Sequence, residues 1–255
     1  MKEKIIMLTH PIIDQLKSLR LSGMALTLEE QMQMPDMEAL SFEERLGLMV
    51  DREVNYRENR KLKTRLKKAK LKQNACVEDI DFRHPRGLDK SLMSKLFSCD
   101  WIKNANNLII TGPTGTGKTY IACALAHKAC REGYTSQYIR IPRIFHELHI
   151  AKGDGRYGKI LKDYAKTKLL IFDDWGLAKM TDESRHDLLE ILEDRNSLSS
   201  TMVTSQFPVD TWHEVIGDPT LADAILDRLV HSAYKIELKG KSMRKKKSTL
   251  TKSEN

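Results

Sequence analysis

The residues most able to do chemistry lie between Gly112 and Thr119. Gly112-Pro113-Thr114-Gly115-Thr116-Gly117-Lys118-Thr119 spells G-x-x-x-x-G-K-T, a P-loop. A polyphosphate must be met by several backbone N–H groups at once, so the loop needs glycines with no Cβ in the way. Lys118 would reach the β- and γ-phosphates, and the Thr119 hydroxyl would ligate Mg²⁺. Residues 112–120, closing with Tyr120, therefore form the candidate cradle for ATP. A second group lies in Lys168-Leu-Leu-Ile-Phe-Asp173-Asp174. Two acids after a buried apolar run form a Walker B pattern: Asp173 would hold Mg²⁺ and Asp174 would orient or deprotonate the attacking water. A third is Thr201-Met-Val-Thr204-Ser205-Gln206. Its polar end stands where a γ-phosphate or the attacking water could be sensed.

These groups need elements that aim them at one point. Leu108–Thr111 is predicted as a short buried strand, and Tyr120–Cys130 as a helix whose positive end faces the phosphates. Further strands are predicted at 136–141, 168–174, 201–205 and 233–238, with a helix carrying Phe145 and Leu148 and another over 218–230. Strands alternating with helices imply a parallel α/β sheet, and ligands bind at the carboxyl ends of such strands. Residues 1 to about 72 look helical, broken at Pro35-Asp36. Ser41 and Glu44 form a capping box that opens a long helix. The expected domains are a helical DNA- or partner-binding region over 1–72, a connector over 73–106, the ATPase domain over 107–239 and a basic flexible tail over 240–255. Trp101 in the connector could wall the adenine pocket or belong to the core.

The chain has 255 residues, 31% of them charged, with a net charge of +8. That excess suits a polyanionic partner. It is concentrated between Asp51 and Lys72, where ten Lys or Arg face three acids. Arg57, Lys61 and Arg65 share one helical face, with Lys68 close by. An excess of one sign is more than salt-bridge lacing needs, so this helix is predicted to contact a DNA backbone, the plain alternative being a solvated amphipathic surface. Lys152-Gly-Asp-Gly-Arg156-Tyr-Gly reads as an exposed glycine-rich loop, either a surface turn or a second DNA contact through Lys152 and Arg156. No apolar run reaches the ~20 residues of a membrane span, and the apolar stretch at the N-terminus is too short for a signal peptide. Four cysteines show neither C-x-x-C nor zinc spacing, and the expected location is cytoplasmic. His146-Glu-Leu-His149 departs from H-E-x-x-H and reads as two histidines on a surface helix.

The motifs G-P-T-G-T-G-K-T, L-L-I-F-D-D-W-G, T-S-Q and D-R-L together resemble the IstB/DnaC group of AAA+ ATPases. The segments L-K-S-L-R-L-S-G-M-A and R-L-K-K-A-K-L-K point more narrowly to IstB-type helper ATPases of bacterial insertion sequences. The resemblance covers nearly the whole chain. It implies an AAA+ parallel sheet flanked by helices behind a small helical domain. It also implies ATP hydrolysis with Mg²⁺, a homo-oligomer on duplex DNA with ATP sites between subunits, and recruitment of a transposase encoded alongside. By the same resemblance Arg228 is the arginine finger of a neighbouring subunit's site. Gln206 stands where relatives place an Asn sensor, with Thr204 as a possible substitute, and Asp174 stands where many AAA+ proteins have Glu. The residues after the last strand are too few for a helical lid domain, and Arg244 is the only nearby candidate for a second sensor. A DnaC-like helicase loader is the rival reading. A small-molecule kinase is a third, weakened by the lack of an evident acceptor pocket.

Overall fold

The structure is a computed structural model that describes residues 11–34, 39–240 and 242–243. The break at Pro35-Asp36, Arg244 and the basic tail beyond it lie outside the described residues. The chain divides after Thr64 into two compact units.

The first unit contains α1 (Pro11–Ser18), α2 (Ser22–Gln33) and most of α3 (Phe42–Ala69), within which the division falls. The predicted capping box opens α3: Ser41 N donates to Glu44 Oε2 (2.8 Å) and Glu44 N donates to Ser41 Oγ (3.2 Å). α2 meets α3 through Gly23, where a Cβ would stand 2.7 Å from the Glu53 Cα. The closeness lets Glu53 accept from the amides of Gly23 (2.6 Å) and Met24 (3.2 Å), capping the start of α2 from the neighbouring helix.

The second unit is built on five parallel strands: β1 (Asn107–Thr111), β2 (Ser136–Arg140), β3 (Leu169–Trp175), β4 (Ser200–Ser205) and β5 (Ala233–Glu237), in the order β2-β3-β4-β1-β5. β1 is buried at every position, and β3 at all but Asp174, as strands covered on both faces must be. The connections place α4 (Lys90–Phe97) and α5 (Asp100–Lys103) before β1, and α6 (Lys118–Arg131) after it. Next come α7 (Ile141–Gly153), α8 (Tyr157–Lys166), α9 (Asp182–Arg195), α10 (Trp212–Ile216) and α11 (Pro219–Val230). One hydrophobic cluster centres on α6 and one sheet face; the other holds α7, α9 and α11 against the opposite face.

One expectation is corrected. The glycine-rich loop is only Asp154–Arg156: Lys152 and Gly153 end α7, and Tyr157 opens α8. Burial of Leu161 and Tyr164, and the bonds of the Tyr157 hydroxyl to Asp187 (2.8 Å) and Glu190 (2.7 Å), outweigh the poor helix propensity of Gly158. α9, whose start is capped by Thr181 accepting from Ser184 N (3.2 Å), had no place among the predicted elements.

Candidate nucleotide site

The site gathers at the carboxyl ends of four adjacent strands. β1 runs into the loop 112–117, and α6 begins at Lys118. Gly112 and Gly117 have φ of +141° and +100°. A Cβ on Gly112 would lie 2.3 Å from the Leu238 carbonyl oxygen, and one on Gly117 would lie 2.6 Å from Arg86 Nη1. Glycine is thus required by conformation and by space. The Thr116 hydroxyl ties the loop internally by donating to Pro113 O (2.9 Å). Lys118 Nζ donates to the Gly112 and Pro113 carbonyls at 2.6 and 2.9 Å, which holds the ammonium inside the loop's curl. Arg86 braces the loop from behind: buried, it donates to Thr116 O and Asp81 O, each at 3.1 Å.

β3 brings the two acids. A register shift between Phe172 and Trp175 bulges the strand, and Asp174 has φ +64°. Bulges re-aim side chains, and here consecutive acids part company. Asp173 is 1% exposed and is the hub of the site. It accepts from the Thr119 hydroxyl (3.1 Å to Oδ1), from Thr204 on β4 and from the Tyr138 hydroxyl on β2. Lys72 Nζ stands 3.8 Å away. Burial, and then the bond to this carboxylate, push the Tyr138 phenol well above its usual range, so Tyr138 stays a donor. Asp174 turns towards solvent and pairs with Arg140 Nε at 2.6 Å.

The two candidate sensors divide their work. Thr204 is buried on Asp173, while Gln206 Oε1 accepts from the Thr114 hydroxyl at 2.6 Å, bridging β4 to the P-loop. Lys118, Thr119, Tyr120, Asp174 and Gln206 share the walls of one cleft of about 410 Å³ with Lys72, Asp79 and Met243. Met243 N also donates to Gly115 O (2.8 Å), so the segment beyond β5 returns to the loop. Trp101 is a core residue, 2% exposed, donating through Nε1 to Leu96 O.

The remaining predicted residues lie elsewhere. Arg228 sits on α11 and bonds Glu193 and the Ala224 carbonyl. Lys152 is held by Asp187 (2.7 Å) and Glu183 (2.9 Å), and Arg156 Nε by Asp154 (2.8 Å). Arg57, Lys61, Arg65 and Lys68 lie along the basic part of α3. Sequence reasoning missed Lys72, Arg86, Tyr138 and Arg140 as site residues. For Tyr138 and Arg140 a signal existed, since the end of β2 belongs to the same ligand-binding edge as the ends of β1 and β3.

The donor set fits the groups these motifs take. A glycine loop curled around the Lys118 ammonium suits a phosphate chain, and Thr119 with Asp173 offers the hard oxygens that Mg²⁺ prefers. The family model described as IstB-like ATP binding protein matches residues 14–251. The chain belongs to this family. An insertion sequence ATP-binding protein of Sinorhizobium fredii, y4pL, is 51% identical over 239 residues, covering 94% of this chain and 98% of the relative. The IS1162 ATP-binding protein of Pseudomonas fluorescens is 51% identical over 206 residues, covering 80% and 89%. Among solved structures, DnaI has a TM-score of 0.56 at 24% identity, over 65% of this chain and 92% of that one. The DnaC helicase loader has a TM-score of 0.50 at 19% identity, over 61% and 93%. These likenesses show the fold, a parallel α/β sheet shared with DnaI and DnaC, and the family model makes the chain a member of an ATP-binding family.

Proposed function

We propose that the protein is an insertion-sequence helper ATPase: it binds and hydrolyses ATP, assembles on duplex DNA as an oligomer, and recruits or stimulates the transposase of its element. The observation that carries the reading is the meeting of Lys118, Thr119, Asp173 and Asp174 at one sheet edge, in a chain matching an insertion-sequence ATP-binding protein over 94% of its length.

The residues divide the reaction among themselves. Lys118 exchanges the Gly112 and Pro113 carbonyls for phosphate oxygens, a stronger charge-assisted bond. Thr119 and Asp173 would hold Mg²⁺, which would supply positive charge against the negative charge developing on the phosphates. Tyr138 and Thr204 hold the Asp173 carboxylate in place by donating to it. Asp174, once parted from Arg140, takes a proton from the water that attacks the γ-phosphorus, and ADP leaves with the β–γ bridging oxygen. Gln206 stands beside the loop that carries the γ-phosphate and orients that water or reads the phosphate's loss. The basic excess of α3 supports the DNA step.

Two substitutions test the reading. Lys118→Ala should abolish detectable ATP binding. Asp174→Asn keeps a residue that tolerates φ +64°, so it removes the charge and little else. It should bind ATP normally and hydrolyse it on the order of a hundredfold more slowly, the usual weight of a general base. Equal turnover by Asp174→Asn and wild type would strip Asp174 of that role.

A further inference from the structure

Several cations along α3 already have partners. Arg57 Nε lies 2.7 Å from Glu53, Lys61 Nζ lies 2.8 Å from Glu58, and Arg65 Nε donates to the Cys130 carbonyl. A different face of the same helix is uncommitted. Arg52, Asn55, Tyr56, Asn59, Arg60 and Lys63 recur at three- and four-residue steps and so line one side of α3. With Leu26 of α2 they enclose a groove of about 650 Å³. Only Arg52 has a carboxylate near, Glu30 at 3.6 Å, and both of those side chains are more than half exposed. Among the described residues, the side chains of Asn55, Tyr56, Asn59, Arg60 and Lys63 have no hydrogen-bonding or ionic partner. Among the described residues, no acid lines the groove.

The chemistry selects the occupant. Three cations, two carboxamides and a phenol all donate hydrogen bonds, and side chains of these types are used on phosphate and sugar oxygens. The twelve residues from Arg52 to Lys63 span about 16 Å of helix. Phosphates of one strand advance about 3.4 Å per step along the duplex axis and stand farther apart along the inclined strand itself, so a strand laid in the groove presents it with a few phosphates. Its shape matters equally. A convex helix enters a DNA groove, whereas this concave surface receives a ridge, and the ridge of a duplex is its phosphodiester backbone. We propose that the groove between α2 and α3 grips one backbone strand of duplex DNA without reading its bases, with Arg60 and Lys63 supplying charge and Asn55 and Asn59 supplying neutral donors. This rests on the proposed duplex-binding function and names the surface that performs it.

The experiment is binding of the full-length protein to a labelled duplex across a salt series, repeated on duplexes of unrelated sequence. Arg60→Ala/Lys63→Ala should flatten the slope of log K against log salt by about 1.8, at roughly 0.9 per phosphate contact. Its affinity should fall equally on every sequence. Asn55→Ala/Asn59→Ala should weaken binding with the slope unchanged, because no charge is removed. Lys61→Ala, whose ammonium is matched by Glu58, should leave both unchanged. Helix content by circular dichroism and basal ATP turnover should stay at wild-type values in all three. If the wild type binds duplex and Arg60→Ala/Lys63→Ala keeps its slope and affinity, the groove serves another partner and the duplex-binding function stands. If the wild type shows no salt-dependent duplex binding, the function and the groove's assignment fall together.

Discussion

Asp174 is the acid assigned to the water, and it is not free to act as it stands. Its carboxylate is bonded to Arg140 Nε at 2.6 Å, and the guanidinium pKa is raised by that bond and by the Asp174 charge. The left-handed backbone at Asp174 also fixes the direction in which its short side chain leaves the strand. Arg140 thus holds Asp174 beside β2, and in the hydrolysis proposed above the pair would have to part. Removing Arg140 should therefore speed basal hydrolysis. We expect Arg140→Ala to raise kcat several-fold with little change in KM for ATP, since Arg140 is absent from the cleft walls that hold the nucleotide. Steady-state ATPase assays decide it; a fall in kcat would make Arg140 a positioning residue for Asp174 instead of its restraint.

Among the elements, the junction of α2 with α3 turns on one buried carboxylate. Glu53 is desolvated, which opposes ionisation, but its bonds to Arg57 and to the amides of Met24 and Gly23 outweigh burial and hold its carboxyl below the usual range. A depressed carboxyl stabilises the fold above its unfolded pKa, 4.5 for a free Glu, and that contribution is lost as pH falls through the folded value. Glu53→Gln should lower the stability of the first unit by about 1–3 kcal/mol near neutral pH, the cost of poorly satisfied buried donors. The difference from wild type should shrink as pH falls from 4.5 towards and through the lower folded value, read by thermal melts across pH. This junction also shows what a sequence reveals. The Ser41–Glu44 box was legible because its two bonds span three residues. The P-loop and its flanking strand and helix were legible because one contiguous motif dictates them. Glu53 reaches Gly23 across thirty residues, and Arg86 reaches Thr116 across the same separation. Such partners are chosen by the fold, so no local pattern announces them. α8 was hidden for the converse reason: its glycine reads as a loop, and only packing of Leu161 and Tyr164 overrules it.

For the whole molecule, the placement of Arg228 decides how many chains make one active site. Asn107 Nδ2 donates to the Arg228 carbonyl at 2.8 Å, and Asn107 is the first residue of β1. The P-loop leaves the other end of that strand, so about 16 Å of β1 separates the two. Arg228 is absent from the walls of its own chain's nucleotide cleft, and its guanidinium rests on Glu193 beside the Ala224 carbonyl. An arginine that serves catalysis from there must serve a neighbouring subunit, which is the arrangement proposed for the oligomer. Arginine fingers contribute about 10³–10⁵ in rate in well-studied cases. Arg228→Ala should therefore bind ATP as wild type does and lose most of its turnover on DNA. Lys118→Ala should lose turnover because its own cleft fails, while still offering Arg228 to the next subunit. Mixed in equal amounts under conditions where subunits exchange, the two inactive proteins should regain activity, because some interfaces then join an intact cleft to an intact arginine. Exchange is checked by energy transfer between labelled subunits. Mixtures that exchange and stay inactive would deny Arg228 a part in the neighbouring subunit's site and confine its effect to its own chain.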